Sequence, residues 1–384
     1  MERAIENLKR IKEELRGEFF ERDEVIEGAL CALLCGCHIL LIGPPGTAKS
    51  LLAHEVCRRV SGAKYFQWLL TKFTTPEEIF GAVSLKGLEN DEYRRVISGK
   101  LPEAYIAFLD EIFKASSSIL NTLLTIMNER VFYNGTEATE VPLITLFGAS
   151  NELPSEEDEL EALYDRFLLR YVVDYIKEDF RFIKMIQAED EAERKKTTIT
   201  VEELRYCQSQ TKGVRIPPHV IKLISRIRNE LKKKGIVLSD RRYKQSVLLL
   251  KARAYLDGRS EVDENDLGIL ENVLWRDPGE RGEIQSVIYQ SLHGYRDRAR
   301  ELLVQAKELE SYAKRPWDNE EMLIKANIEA QTKLRHVLSK IETLFDECRE
   351  RGKSLEELLR VKTEIEDIQK EILNRLLSGK EEPS

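Results

Sequence analysis

Short apolar runs alternate with amphipathic segments over the first 174 residues. The runs at 39–42, 65–70, 105–109, 143–147 and 168–173 predict buried strands. Apolar residues at three- and four-residue spacing predict helices at 3–16, at 24–36, after residues 43–50 up to about 60, and at 118–130. Buried strands that alternate with helices are typical of a parallel sheet covered on both faces. Residues 1–174 are therefore predicted to form an αβα sandwich of the α/β class.

Two segments interrupt this alternation and predict β-hairpins. Residues 83–101 alternate weakly around Asn90-Asp91, which indicates a surface hairpin inserted before the next core strand. Asn134-Gly135 follows the helix at 118–130 and predicts a tight hairpin turn, because both residue types tolerate positive φ.

The remainder of the chain has a helical pattern. Residues 175–278 predict a compact all-helical second domain, with helices near 178–190, 201–211, 217–234, 240–257 and 263–274. From 279 to 384 longer helices are expected. Apolar residues at helical spacing in 334–348 and 358–372 predict an αα-hairpin, with Gly352 ending one helix. Ser354 and Glu357 form a capping box for the next helix.

Composition and charge narrow the function classes. The chain has 384 residues, 33% of them charged, and a net charge of −8, which disfavours broad binding to nucleic acid or anionic membranes. The longest apolar stretch, 29–42, contains Gly36 and His38 and is too short to span a bilayer, and the charged N-terminus does not resemble a signal peptide. We therefore expect no membrane insertion and a cytoplasmic location. The six cysteines lack metal-ligand spacing and are predicted to be core thiols.

A phosphate-binding loop follows the first predicted strand. Its residues are Gly43-Pro44-Pro45-Gly46-Thr47-Ala48-Lys49-Ser50. A strand, a glycine-rich turn and a helix direct backbone N–H groups towards one anion. Lys49 is expected to contact the β- and γ-phosphates, and the Ser50 hydroxyl to bind Mg²⁺. Ala48 stands where the common pattern has glycine, which is acceptable if its φ is helical and costly if its φ is positive.

Two further strand ends carry residues suited to nucleotide hydrolysis. Asp110 and Glu111 follow a buried apolar run. Asp110 can hold Mg²⁺ through water, and Glu111 can polarise the attacking water. Asn151 ends another predicted strand and can orient that water or contact the γ-phosphate.

Arginines complete the candidate site. Arg166 precedes the last predicted strand and is suited to neutralise charge on a phosphate across a subunit boundary. The structural alternative is that Arg166 forms a surface pair with Asp165. If Arg166 is not this arginine finger, the residue that acts on the neighbour's phosphate, Arg170 is the candidate. Either Arg241 or Arg242, at the start of a predicted helix, can lean over the nucleotide; Arg241 is preferred.

The order of these motifs resembles that of AAA+ ATPases, and several segments resemble the MoxR family, most closely its RavA-like branch. The segments are GPPGTAKS (43–50), FTTPEEIFG (73–81), FLDEIFKA (108–115), LNTLL (120–124), NER (128–130), ASNELP (149–154) and SDRR (239–242). The tail departs from that branch, because residues 280–384 show helix only, without a β-rich insertion.

The resemblance implies an ATPase that binds ATP or ADP with Mg²⁺ between the subunits of a homo-oligomeric, usually hexameric, ring. It implies that residues 175–278 form a lid domain. It also implies that the insertion at 83–101 faces the pore of the ring or a partner. It adds Phe20, Arg22 and Leu51 to the nucleotide-binding candidates. It also implies a chaperone-like role in the remodelling or maturation of partner proteins, often beside a protein with a von Willebrand factor A domain.

Two alternatives to this protein remodeller stay open. A nucleic-acid motor is disfavoured by the net charge and by acidic residues that balance the basic ones of 83–101. A nucleotide-gated scaffold with little hydrolysis is disfavoured because Glu111 and Asn151 are both present.

Overall fold

A computed structural model describes residues 2–153, 158–187, 196–317, 320–350 and 355–378. These residues fall into two compact units. The first comprises Met1–Pro217 and Lys232–Ile284, and the second comprises Pro218–Leu231 and Gln285–Ser384. The three-part division at 1–174, 175–278 and 279–384 remains a prediction. Among the described residues, no helix is long and apolar enough to cross a membrane.

The first unit is built on a five-stranded parallel sheet with the order β3-β4-β7-β1-β8. The strands are β1 (His38–Ile42), β2 (Val60–Ser61), β3 (Tyr65–Leu69), β4 (Ile106–Asp110), β5 (Val131–Asn134), β6 (Glu137–Glu140), β7 (Thr145–Ser150), β8 (Phe167–Val172) and β9 (Ile199–Thr200). The central strands β1 and β7 are buried at every position. All strand pairs of this sheet are parallel, which confirms the predicted parallel sheet. Strands that are buried at every position are covered on both faces.

Helices cover this sheet and continue into the rest of the chain. The helices described are α1 (Glu2–Glu18), α2 (Asp23–Cys35), α3 (Lys49–Arg58), α4 (Pro76–Phe80), α5 (Leu85–Leu88), α6 (Ser117–Glu129), α7 (Asp158–Arg166), α8 (Asp179–Gln187), α9 (Val201–Gly213), α10 (Pro218–Lys233), α11 (Asp240–Leu256), α12 (Arg281–His293), α13 (Tyr295–Ala313), α14 (Glu320–Glu350) and α15 (Glu356–Ser378). The predicted helix at 263–274 is a 3₁₀-helix at Glu264–Asn272. Helix α2 is almost entirely buried, since it packs against α1, α9 and α11.

The prediction that 175–278 is purely helical is wrong at one point. Ile199 and Thr200 form β9, which pairs in parallel with Val60 and Ser61 of β2. The Ile199 N–H donates to the Arg59 carbonyl at 2.9 Å, and the Ile199 side chain is buried. A two-residue strand has too little periodicity to be visible in sequence.

The predicted β-hairpin at 83–101 is also wrong in its detail. The segment has one antiparallel bridge, between Val83 and Arg95, and the short helix α5 lies at its centre. Ser84 caps this helix, because its hydroxyl accepts the Gly87 N–H at 3.2 Å. A local side-chain cap competes with strand pairing here. The second hairpin is confirmed as β5–β6, with Gly135 at φ +68° in its turn.

The core of the second unit is formed by three long helices. Helix α14 packs against both α13 and α15, and α13 also packs against α15. The core side chains are apolar residues such as Ala306, Leu334, Ile341 and Ile365. The predicted αα-hairpin is therefore present and is completed by α13. Of its predicted capping box, Ser354 lies outside the described residues.

Ion pairs fix the direction of α13 relative to α15. The pairs are Arg300–Glu357, Lys307–Glu364 and Lys314–Glu371, each with its members 57 residues apart. A constant sequence separation within each pair means that the two helices run parallel. Successive pairs are seven residues apart, which places all of them on the same face of each helix. Their charged groups lie on the solvent side, so they specify alignment more than stability.

Candidate active site

The phosphate loop begins at the buried end of β1. The Gly43 N–H donates to the Ser150 carbonyl at 3.0 Å, which fixes the loop beside the end of β7. A Cβ on Gly43 would lie 1.9 Å from the Val173 carbonyl oxygen, so only glycine fits there. The loop ends where α3 begins, at Lys49. The predicted strand, turn and helix are therefore all observed.

Ala48 has φ +62°, in the left-handed region. The interpretation in which this alanine has helical φ is thus wrong, and the costly one applies. The left-handed conformation costs an L-residue about 1–2 kcal/mol, because Cβ approaches the following carbonyl. Sequence alone could not decide between the two conformations, because only the backbone path of the loop determines φ.

Lys49 is buried and its ammonium is held by the loop itself. Nζ donates to the carbonyls of Gly43 at 2.7 Å and Pro44 at 2.8 Å. Burial lowers the pKa of Lys49, and the nearby carboxylates of Asp110 and Glu111 oppose that shift. The loop therefore positions a lysine charge between its own carbonyls and the end of β4.

The acidic residues lie where the sequence predicts, at the end of β4. Asp110 is its last residue, and its Oδ1 accepts the Glu111 N–H at 3.0 Å. Glu111 has φ +51°, a strained conformation for a non-glycine residue. The structure brings Asn151 to it, because Asn151 Nδ2 donates to Glu111 Oε1 at 2.6 Å. Lys114 Nζ is 3.2 Å from the other carboxylate oxygen. Both oxygens of the Glu111 carboxylate are thus oriented by neighbours.

Arg166 ends α7 just before the edge strand β8. Its Nε is buried and has no hydrogen-bond partner in the described part of the chain. The Asp165 carboxylate, the alternative partner of Arg166, accepts from Arg242. Arg170 cannot replace Arg166 as a finger. It is buried, donates to the carbonyls of Tyr164 and Trp275, and lies over the Tyr164 ring.

The structure separates the roles of the two neighbouring arginines of α11. Arg242 is buried and donates to four main-chain carbonyls, which are Asp165, Phe167, Leu168 and Val273. Arg241 is exposed, and its Nη2 donates to Asn128 Oδ1 at 2.8 Å. Arg242 is therefore structural, and Arg241 is the one able to reach a ligand.

Of the remaining predicted nucleotide contacts, Arg22 lies near the loop. Its charge acts on Lys49, lowering the pKa of that lysine, and its Nη2 donates to the Asp174 carbonyl at 2.5 Å. Phe20 is half-buried in the same turn, and Leu51 is exposed on α3. Sequence reasoning missed Tyr175, whose hydroxyl donates to the Pro45 carbonyl at 3.3 Å. No motif marks this tyrosine; only its position just after β8 could have suggested it.

The parallel sheet, the loop and the strand-end residues define the αβα architecture of AAA+ ATPases. The comparisons agree, since a family model for the AAA lid domain matches residues 219–288. The model described as the MoxR domain in the MoxR-vWA-beta-propeller ternary systems matches residues 6–209, more than half of the chain. The chain belongs to the MoxR family of AAA+ ATPases.

Relatives and one solved structure agree with this assignment. The uncharacterised proteins MJ0079 and MJ0812 of Methanocaldococcus jannaschii are 45% and 47% identical over 296 and 283 residues. These alignments cover 77% and 73% of this chain, and 77% and 75% of theirs. The chaperone MoxR1 of Mycobacterium tuberculosis is 32% identical over 46% of this chain and 44% of its own. A Cytophaga hutchinsonii protein described as a candidate ATPase shares the fold, with a TM-score of 0.59 and 17% identity over 75% of this chain and 94% of that one.

Proposed function

We propose that this MoxR-family protein hydrolyses ATP and uses the energy to remodel or mature partner proteins. One observation carries the proposal. Lys49, Glu111 and Asn151 lie at the carboxyl ends of β1, β4 and β7, and these three strands are adjacent in the sheet. Ligands of open parallel sheets bind at this edge.

The donor set fits a Mg²⁺–ATP complex. The half-buried Ser50 follows Lys49 in the first turn of α3, and Asp110 ends the neighbouring β4. A hydroxyl and a carboxylate are oxygen donors of the kind that Mg²⁺ takes together with phosphates and waters. The backbone N–H groups from Gly46 to Ser50 would cradle the phosphates. When bound, the metal supplies charge that stabilises the transferring phosphoryl group.

The residues of the chain then have separate tasks. Lys49 would exchange the carbonyls of Gly43 and Pro44 for phosphate oxygens, which are stronger partners for an ammonium. Glu111 would accept the proton of the attacking water. Asn151 and Lys114 hold the carboxylate of Glu111 and so determine how freely it can turn towards that water.

We also propose a ring of subunits, hexameric in keeping with the resemblance, in which Arg166 acts on the neighbour's nucleotide. Arg166 ends α7 next to β8, an edge strand of the sheet, and this position supports a role towards a neighbouring subunit. Partner proteins with a von Willebrand factor A domain are proposed from the description of the matching family model. The finer RavA-like assignment stays a prediction.

The test of the catalytic assignment combines two variants and a control. Lys49→Ala should remove most nucleotide affinity and all turnover, whereas Glu111→Gln should retain ATP without hydrolysing it. Lys244→Ala, on an exposed position of α11, is the matched control and should behave as wild type. The measurements are ATP binding and phosphate release. Turnover near the wild-type rate in Lys49→Ala would overturn the site.

The ring proposal has its own test by mixing. Lys49→Ala subunits retain their arginine, and Arg166→Ala subunits retain their loop. Lys49→Ala alone should not turn over ATP. Arg166→Ala alone should hydrolyse it very slowly, since a supplied arginine contributes about 10³–10⁵ in rate in other phosphoryl-transfer systems. Mixed under subunit exchange, they should regain activity at the interfaces where an intact loop meets an intact arginine. If co-assembly is shown and no activity returns, Arg166 does not act in trans.

A further inference from the structure

Glu21 has a backbone conformation that its residue type disfavours. Its φ is +56°, and it is one of five non-glycine residues with positive φ in the described ranges, two of the others being Ala48 and Glu111 of the candidate site. Such conformations are costly for residues with a Cβ. They persist only where the surroundings impose them, and they cluster at functional sites.

The Glu21 side chain joins two distant segments of the chain. Its Oε2 accepts the Lys177 N–H at 3.0 Å and its Oε1 accepts the Glu178 N–H at 2.9 Å. These two hydrogen bonds lower the pKa of the Glu21 carboxyl, so it is ionised at neutral pH. The neighbouring Arg22 adds a bond to the Asp174 carbonyl. The turn that follows α1 is thus fastened to the segment that follows β8.

That fastened segment, residues 173–178, lies along the phosphate loop. The Val173 N–H donates to the Ile42 carbonyl at 2.8 Å, and the Val173 carbonyl leaves no room for a Cβ on Gly43. The Tyr175 hydroxyl donates to Pro45, and 57% of the Tyr175 surface remains exposed. The ring of Tyr175 is therefore available to a ligand beside the loop.

We propose that Glu21 is a positioning residue for nucleotide, which holds residues 173–178, and with them Tyr175, in place as one wall of the site. The inference rests on the proposed function. The physical reason is preorganisation: a wall that is already fixed does not have to be ordered when the nucleotide binds, and affinity rises accordingly. In its observed conformation, with φ +56°, the Glu21 carboxylate accepts both N–H groups.

The experiment uses the full-length protein and a fluorescent N-methylanthraniloyl derivative of ADP as the probe. Glu21→Gly removes the carboxylate and permits positive φ without strain. We expect its Kd to rise about tenfold, equivalent to about 1.4 kcal/mol, and the amide exchange of Lys177 and Glu178 to become faster. The matched control is Asp91→Gly, at another positive φ of +57°, and it should change neither quantity.

A double variant tests whether Glu21 acts through the wall. If it does, Glu21→Gly combined with Tyr175→Ala should weaken binding no more than the stronger single variant. Additive losses would overturn the proposal, as would an unchanged Kd in Glu21→Gly or unchanged exchange at 177 and 178. Failure of the wild type to bind the probe would instead refute the proposed function.

Discussion

Arg241 and Arg242 are adjacent in sequence and should respond to substitution in opposite ways. Arg242 donates to four main-chain carbonyls at 2.8–3.2 Å and also contacts the Asp165 carboxylate at 3.3 Å. Burial lowers its pKa, and Asp165 opposes the shift. Arg242→Ala removes all of these donors at once.

The expected loss is large on the scale of protein stability. Breaking a buried, hydrogen-bonded charge network costs about 3–5 kcal/mol, out of a typical total of about 5–15 kcal/mol. In a unit of this size each kcal/mol shifts Tm by about 2–4 °C, so Arg242→Ala should lower Tm by about 10 °C. Arg241→Ala removes one exposed hydrogen bond and should change stability by less than about 0.5 kcal/mol.

Thermal unfolding followed by circular dichroism measures the stability of both variants. Phosphate release at saturating ATP measures their hydrolysis. We expect Arg241→Ala to keep the wild-type Tm and lose hydrolysis. The assignment of roles is refuted if Arg242→Ala unfolds within about 2 °C of wild type, or if Arg241→Ala is the destabilised variant.

Two further variants test the backbone and the core. Ala48→Gly relieves the strain of the left-handed conformation but increases the conformational entropy of the unfolded chain. Tm should therefore stay equal or rise by the equivalent of up to about 1 kcal/mol, and nucleotide affinity should be preserved. A clear fall in Tm would contradict the φ of +62°. Burial, and then the charge of Arg130, hold the pKa of His38 well below its ordinary value of 6.5. The unfolded chain therefore binds the proton first, and stability should fall as pH drops below about 6.5 towards the lower folded-state pKa, by up to about 1.4 kcal/mol per unit. Urea unfolding between pH 7.5 and 5 should show this slope in the wild type and a flatter one in His38→Gln.

The sheet and the chemistry-bearing strand ends were predictable because each is encoded locally. Apolar runs of four to six residues followed by Gly43, Asp110 or Asn151 need no tertiary information to be recognised. The contact of Asn151 with Glu111 follows from the parallel arrangement, because β4 and β7 are neighbours and end at the same edge.

The missed features depend on partners distant in sequence. Ile199 forms a strand only because Arg59 offers it a carbonyl, and Glu21 acts on residues more than 150 positions away. The structural role of Arg242 is equally invisible beside Arg241, since the two share a residue type and a helix. Their difference arises from which side of α11 faces the core.

The unequal lengths of the three long helices in the second unit affect its motions. Helix α14 has 31 residues against 19 in α13, a difference of about 18 Å at 1.5 Å per residue. Tyr312, one residue before the end of α13, contacts Glu329 of α14. Residues 320–328 of α14 therefore extend beyond the end of α13. Apolar side chains there are correspondingly exposed, among them Met322, Ile324 and Ile328. With fewer buried contacts, this end opens at lower free energy than the rest. Amide exchange along α14 should therefore be graded, fastest before Glu329 and slowest where all three helices meet.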